Sequence, residues 1–445
     1  MTAASPPPSE STDDLPELHP ASEVPGGEHF EAIVQASTTG AALSDDDIHA
    51  HFATDGSMAA VEQIRASIAT AQVQLGGGEV LGYYAVPGVV CAIVRGQDGH
   101  LRNIGSHVRD ADGFRARNLL GGPRPPGFTV RPAVPEDGPT LARLELASPI
   151  QMGETAVVYD RGEDDYFAGD RLADASVLVL ERDGEVVGMG GYVIHDARIN
   201  GNDVRVAYAH RFRIARSAQR GGAWGALQWP TWLSGATRSD AGNSYIHRAN
   251  AAMLRYVPAA VIQPVEPERL AFRTADLAGD AAMRPATAED APRIVELLNA
   301  THADEALFRP YTVESLTERL EREPAAYSWS SFRMSTRAVV GAWWHAYRVL
   351  RTVGDERSED VRTLVLDYGF EPGAEAELAN IARAVAAEAA TGGSSELTLF
   401  TSPPSPGYEA LRPLAHHVDA YAMTLGAFAY GGTIAGPVYI DQLYF

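Results

Sequence analysis

The sequence predicts two consecutive mixed α/β domains behind an N-terminal accessory region, and three observations predict it. An internal repeat is the first. Residues 130–146 read VRPAVPEDGPTLARLEL and residues 283–299 read MRPATAEDAPRIVELLN, identical at seven of 17 positions at an offset of 153. The same offset superposes Val186-Val187-Gly188 on Val339-Val340-Gly341. A constant offset of this length indicates duplication of a whole domain. The second observation is the order of hydrophobic patterns within a copy: strand, helices, three strands, helix, strand, helix, which is a mixed sheet with helices on it. The third is a glycine-rich turn after the third strand of the meander, present in the first copy alone.

Each element has its own signal. Phe128–Arg131 reads as a short strand leading into Glu136-Asp137, acidic residues that suit a helix N-terminus. Leu141, Leu144 and Leu146, and in the second copy Ile294, Leu297 and Leu298, follow at helical spacing. Ser176–Leu180 is an apolar strand, Asp183-Gly184 a hairpin signal, and Val186–Ile194 the returning strand. A further strand runs from Val204 to Ile214 into Gln219-Arg220-Gly221-Gly222, and Asn243–His247 forms another beyond a helix. Upstream, residues 29–122 form an accessory α/β region. Ser44 caps a helix at Asp45-Asp46-Asp47, a second helix covers Met58–Ala71, and strands lie near Val80–Ala85 and Val89–Val94. This pattern fits either a domain packed on its neighbour or a winged helix. Residues 1–28, rich in Pro, Ser, Glu and Asp, read as a dispensable disordered tail.

Composition removes several chemistries. All 36 basic residues are Arg, so a P-loop lysine, a lysine Schiff base and a Ser–Lys dyad are excluded. Cys91 is the single cysteine and lies in the apolar run VVCAIV, as a small buried hydrophobe would. No metal site is expected: cysteine zinc sites are excluded, and His416-His417 has no partner at ligand spacing. A net charge of −22 disfavours nucleic acid and favours a basic acceptor such as an amine. No apolar run is long enough for a membrane span and the N-terminus has no secretory pattern, so the cytoplasm is the expected location.

The chemistry should sit in FRIARSAQRGGAWGAL, residues 212–227. Small residues at a strand-to-helix turn let the backbone approach a diphosphate, and free amides at the helix start donate to it. Here the chain resembles the GCN5-related N-acetyltransferase (GNAT) superfamily, whose CoA motif is Gln/Arg-x-x-Gly-x-Gly/Ala. Gln219 and Gly222 match. Trp224 stands at the final small position, Gly225 follows one place later, and Arg216 replaces a usual proline. The opening RPAxxED and the segment Asn250-Ala251-Ala252-Met253-Leu254 are also similar to that superfamily.

The resemblance implies two tandem GNAT-like domains: residues 128–275 with the CoA site, and 281–445 as a degenerate copy. It implies acetyl-CoA or another acyl-CoA as co-substrate and direct attack of an amine on the thioester. The backbone of Phe212, Arg213 and Ile214 would pair with the pantetheine arm. Gln219, Arg220, Gly221, Gly222, Ala223, Trp224 and Gly225 would hold the pyrophosphate, with Asn250 at the following helix. His210 is a candidate base or a structural histidine beside Arg211; strand periodicity puts Tyr208, His210, Phe212 and Ile214 on one face. Tyr256 is the candidate acid. His195 and Asp196 are further candidates, and Trp343, Trp344 and His345 either line an acceptor pocket or pack the sheet. In the second copy Pro372 and Glu375 stand where Gln219 and Gly222 stand in the first, which opposes CoA binding. Two other readings remain: a non-catalytic acyl-CoA sensor, and a regulator with a winged helix.

Overall fold

The computed structural model describes residues 15–52, 58–86, 89–109, 115–116, 120–123, 125, 127–163, 166–219, 222–255, 257, 261–277, 283–426, 434 and 436–444. Helices α1 (Gly27–Thr39), α2 (Asp45–His51) and α3 (Met58–Leu75) precede strands β1 (Glu79–Val86), β2 (Val89–Arg95), β3 (Leu101–Arg109), β4 (Arg115–Ala116) and β5 (Leu120–Pro123). Ser44 caps α2 in a capping box with Asp47, as its position before three aspartates requires. The five strands form one sheet, so the region is a helical layer on a sheet and not two helices with a two-stranded wing.

The run VVCAIV is apolar at every position because both faces of β2 are covered. Val90, Ala92 and Val94 pack with Phe30, Ile33 and Ile64 of the helices. Val89, Cys91 and Ile93 pack against Trp229 and Trp232. Burial pushes the Cys91 thiol up to about 12, so it stays protonated.

Part of the expected tail is built into this layer. Of residues 1–28, positions 1–14 lie outside the described residues. His19 and Tyr83 exchange backbone hydrogen bonds of 2.8 and 2.9 Å, Ala21 and Val24 are buried, and Leu15 and Leu18 pack on the sheet. The average composition of the stretch hid four apolar residues at a spacing of three.

The first copy contains β6 (Thr129–Pro132), α4 (Gly138–Ala147), β7 (Ile150–Met152), β8 (Thr155–Asp160), α5 (Ala168–Ala173), β9 (Ala175–Arg182), β10 (Glu185–Ile199), β11 (Asn202–Ile214), α6 (Ala223–Ala236), β12 (Ala241–His247), α7 (Ala251–Leu254) and β13 (Glu268–Arg273). The second contains β14 (Arg284–Pro285), α8 (Ala291–His302), α9 (Val313–Arg322), β15 (Phe332–Met334), β16 (Ala338–Val353), β17 (Glu356–Phe370), α10 (Glu375–Thr391), β18 (Glu396–Thr401), α11 (Pro406–Leu411) and β19 (His417–Gly426). The repeated Arg-Pro-Ala-x-x-Glu-Asp is a turn clamp. Arg131 grips both oxygens of Asp137 at 2.7 and 2.9 Å, and Asp137 accepts the Val134 amide. Arg284, Asp290 and Thr287 repeat the arrangement.

The two copies share one 14-stranded sheet whose main path is β14-β15-β16-β17-β18-β13-β19-β12-β11-β10-β9-β6. At its centre the copies exchange strands: β13 lies between β18 and β19, and β19 lies beside β12. The hairpin β7–β8 also crosses over, pairing with β16 from Arg348 to Val353. The exchange is cemented by buried charge. Arg269 of β13 binds Asp419 of β19, and within the second copy Arg362 binds Glu396 across β17 and β18 at 2.6 Å.

In each copy one parallel pair closes and then splays. β11 and β12 pair from Val206↔Ala241 to Tyr208↔Asn243, and β17 and β18 from Arg362↔Glu396 to Leu364↔Thr398. Beyond these pairs the strands diverge and leave a wedge-shaped gap.

Candidate functional site

In the second copy the gap is filled by the chain itself. Val438, Tyr439 and Ile440 lie against Leu366, Tyr368, Leu399 and Thr401. The segment is pinned by the Val438 amide on Ser402 Oγ at 2.9 Å and by Gln442 Nε2 on Thr398 Oγ1 at 2.6 Å. The turn before α10 is likewise satisfied internally. The Gly373 amide donates to the Glu375 carboxylate at 3.2 Å, so an anion of the protein stands where a phosphate oxygen would.

The first copy is arranged differently. Between Met189↔Arg213 and Gly191↔His210, β11 carries two residues, Arg211 and Phe212, opposite Gly190 alone. Arg211 takes up this bulge at φ 56. The bulge overturns the expectation of one shared face. A side-chain carbon on Gly190 would meet the Phe212 ring at 2.8 Å, and one on Gly191 would meet His210 Nε2 at 2.8 Å. Adjacent strand residues face opposite ways, so His210 and Phe212 lie on opposite faces of the sheet. Tyr208 and His210 do share a face, stacked with centroids 5.7 Å apart.

Phe212 packs on Trp224 at 5.1 Å, beside the turn that enters α6. Gly222 caps α6 in the left-handed conformation at φ 81, and no side chain caps the helix. The first amides of a 14-residue helix, those of Ala223, Trp224 and Gly225, therefore open the turn without a side-chain acceptor among the described residues. Pro125, on the link from the N-terminal region, closes one side: a carbon added to Gly222 would lie 2.9 Å from its Cβ. Gln219 turns inward and donates to the Ile214 carbonyl at 3.2 Å, fixing the loop to the end of β11. Arg213 Nη1 donates to the Phe212 carbonyl at 2.8 Å. Asn250 accepts the Met253 amide at 3.2 Å as the N-cap of α7. Arg220, Gly221 and Tyr256 lie outside the described residues.

On the opposite face, a narrow cleft opens between the two copies. Its walls are Arg161, Tyr166, Asp170, His210 and Arg211 of the first copy, and Trp343, Ala346 and Leu443 of the second. Gly169 lets Trp343 approach, since a carbon there would lie 3.2 Å from the indole. Trp344 stacks under Arg333 and His345 lies against Gly392, so neither joins the cleft walls. Nor do His195 and Asp196, the latter paired with Arg309.

Behind the cleft, Glu145 of α4 is buried between Arg213 at 3.3 Å and Arg161 at 3.5 Å, and accepts the Tyr166 hydroxyl at 3.2 Å. Asp170 binds Arg211 through Nη1, and the guanidinium stacks 4.6 Å from the Tyr166 ring. Burial first, and then the charges of Arg211 and Arg161, lower His210 to about 3 against the opposing pull of Asp170. Its imidazole is neutral near pH 7. Sequence reasoning reached His210 and Trp343 but not Arg161, Tyr166, Asp170 or Glu145. Glu145 did leave a signal, four residues after Leu141 on the buried face of α4.

No family model matches the sequence, and none of the curated proteins matches it. Solved structures do. N-myristoyltransferase of Saccharomyces cerevisiae, with bound myristoyl-CoA and inhibitors, aligns with a TM-score of 0.50 at 9% identity over 72% of this chain and 84% of that one. A GCN5-related N-acetyltransferase from Sphaerobacter thermophilus aligns at 0.45 and 16% identity over 72% and 100%. A probable N-acyltransferase of unknown function from Enterococcus faecalis aligns at 0.37 and 9% over 68% and 74%. The likeness to the N-myristoyltransferase shows a shared GNAT fold.

Proposed function

We propose that this chain is an acyl-CoA-dependent N-acyltransferase with one working site, in its first copy. The observation that carries the reading is the asymmetry of the two gaps. In the first copy a bulged β11 splays from β12 and runs into a helix start that no side chain caps. In the second, the gap and the turn are both satisfied by the chain's own groups. A diphosphate needs the former and is repelled by the latter.

In this reading the CoA diphosphate meets the amides of Ala223, Trp224 and Gly225, and its pantetheine arm follows β11. Pantetheine amides take over the Phe212 and Ile214 carbonyls from Arg213 and Gln219. The apex of the gap is closed by Tyr208, Tyr245 and His210, whose rings pack together. In this reading the acyl group is a short one, such as acetyl. The acceptor amine enters from the cleft between the copies and attacks the thioester carbonyl directly. His210, neutral and lining that cleft, accepts a hydrogen bond from the amine and aims its lone pair. Tyr256 remains the candidate to protonate the leaving thiolate, and its phenolate then takes back the proton that the acylated nitrogen sheds, directly or through water.

The test is release of CoA thiol from acetyl-CoA over a panel of amines. Release that depends on an amine, and an acylated amine of matching mass, support the reading. CoA binding without turnover on any amine would favour a sensor instead.

A further inference from the structure

Charged side chains line and back the cleft between the copies. Among the described residues, Arg161, Arg211 and Arg213 face two carboxylates, Glu145 and Asp170, and all five side chains are at most 13% exposed. Hydrogen bonding leaves one guanidinium edge open. Arg211 gives Nη1 to Asp170, while its Nε and Nη2 are buried and have no hydrogen-bond partner among the described residues. These two nitrogens form the side-on edge of the guanidinium, two parallel N–H donors spaced to match the two oxygens of a carboxylate. Arg161 Nε, on the same cleft, makes no hydrogen bond and lies 3.5 Å from the Glu145 carboxylate. Arg161 is held in place by the Tyr347 ring 5.1 Å away, and Arg211 by Tyr166. Both donors are therefore fixed, and a buried unpaired guanidinium edge is costly until an acceptor reaches it.

We infer that the acceptor carries a carboxylate close to its amine, as an amino acid does, and that the Nε/Nη2 edge of Arg211, with Arg161, binds it. His210 precedes Arg211 on β11, so an amine one or two carbons from that carboxylate lies within reach of the imidazole. Trp343 and Leu443 offer an apolar wall, which suits an acceptor with an apolar side chain. This reverses the expectation drawn from the net charge of −22: the molecule as a whole attracts cations, but the cleft selects an anion. The inference rests on the cleft being the acceptor side of an acyltransferase.

The experiment compares each amino acid with its decarboxylated amine, phenylalanine with phenethylamine and leucine with isoamylamine, in the thiol-release assay. The amino acid should be preferred at least 10-fold in kcat/KM, the scale of a charged hydrogen bond. Arg211→Lys keeps the positive charge and the Asp170 pair but loses the side-on edge. It should raise KM for the amino acid 10- to 100-fold and bring the kcat/KM ratio toward one. Arg161→Gln, at a less buried position, should move the ratio the same way and serves if Arg211→Lys does not fold. Equal use of both acceptors by the parent chain, or a ratio unchanged in both variants, overturns the inference. Calorimetry with phenylacetate, which has the carboxylate and no amine, keeps the two readings apart. Phenylacetate binding that is lost in Arg161→Gln supports the anion site even if no acyl transfer is found. Silence with phenylacetate counts against the anion site whatever acetyl-CoA does.

Discussion

His210 offers a test whose size follows from its surroundings. Its imidazole is held near 3, against 6.5 in the open chain, first by burial and then by the charges of Arg211 and Arg161. The folded value lies below the unfolded one, so between pH 6.5 and 3 the unfolded chain binds more protons. Stability from this group is therefore complete above about pH 6.5 and is lost as pH falls toward 3. Each pH unit in that window costs about 1.4 kcal/mol, which gives roughly 2 kcal/mol by pH 5 and roughly 5 kcal/mol by pH 3. His210→Gln removes the titration but leaves a side chain that can accept a hydrogen bond. Relative to this variant, the parent chain should lose roughly 2 kcal/mol between pH 7.5 and pH 5 in denaturant unfolding. His195 and His51 are also lowered, but both remain in the variant and cancel in the difference. Histidine Cε1 deuterium exchange, read by mass spectrometry, should show no midpoint for His210 between pH 5 and pH 8. In turnover, the acid limb of kcat/KM should follow the amine and not an imidazole. A His210 midpoint between 6 and 7, or identical pH slopes in parent and variant, would refute the placement of His210 in a dry, cationic wall.

Two further outcomes follow from packing and buried charge. Removal of residues 1–28 should lower the thermal midpoint, because it strips Ala21 and Val24 from the N-terminal core and Leu15 and Leu18 from its edge, on the order of 3 kcal/mol of apolar burial or more; an unchanged midpoint would contradict this. Glu396→Gln should destabilise the chain by about 3–5 kcal/mol, since it leaves Arg362, 1% exposed, as an uncompensated charge, whereas a shift within about 0.5 kcal/mol would mean that solvent reaches the pair.

Much of the architecture was written in local patterns. The duplication was legible because Arg131–Asp137 and Arg284–Asp290 are short-range clamps, and a clamp needs the same residues at the same spacing each time. The turn at Gly222 was legible because a left-handed cap before a helix favours glycine. What stayed hidden depends on chain segments far apart in sequence. The exchange of β13 and β19 leaves no local signature, because an apolar strand reads the same whichever neighbour it joins. The bulge at Arg211 broke a periodicity argument with one extra residue. The cleft wall of Arg161, Asp170 and Arg211 is assembled from a loop, a short helix and a strand, each with ordinary charged residues. The second copy's filled gap needed the fold of residues 436–443, which no motif marks.

The central claim, one acyl-CoA site per chain in the first copy, is tested most directly by calorimetric titration with acetyl-CoA. The parent chain should bind with a stoichiometry near one. Trp224→Glu places a carboxylate in the first turn of α6, where the diphosphate meets the helix start, and should remove the heat of binding while the thermal midpoint shows that the fold persists. Glu375→Gln relieves the matching charge in the second copy but not its filled gap, so its stoichiometry should stay near one. A stoichiometry of two in the parent, or undiminished binding in folded Trp224→Glu, would contradict the account.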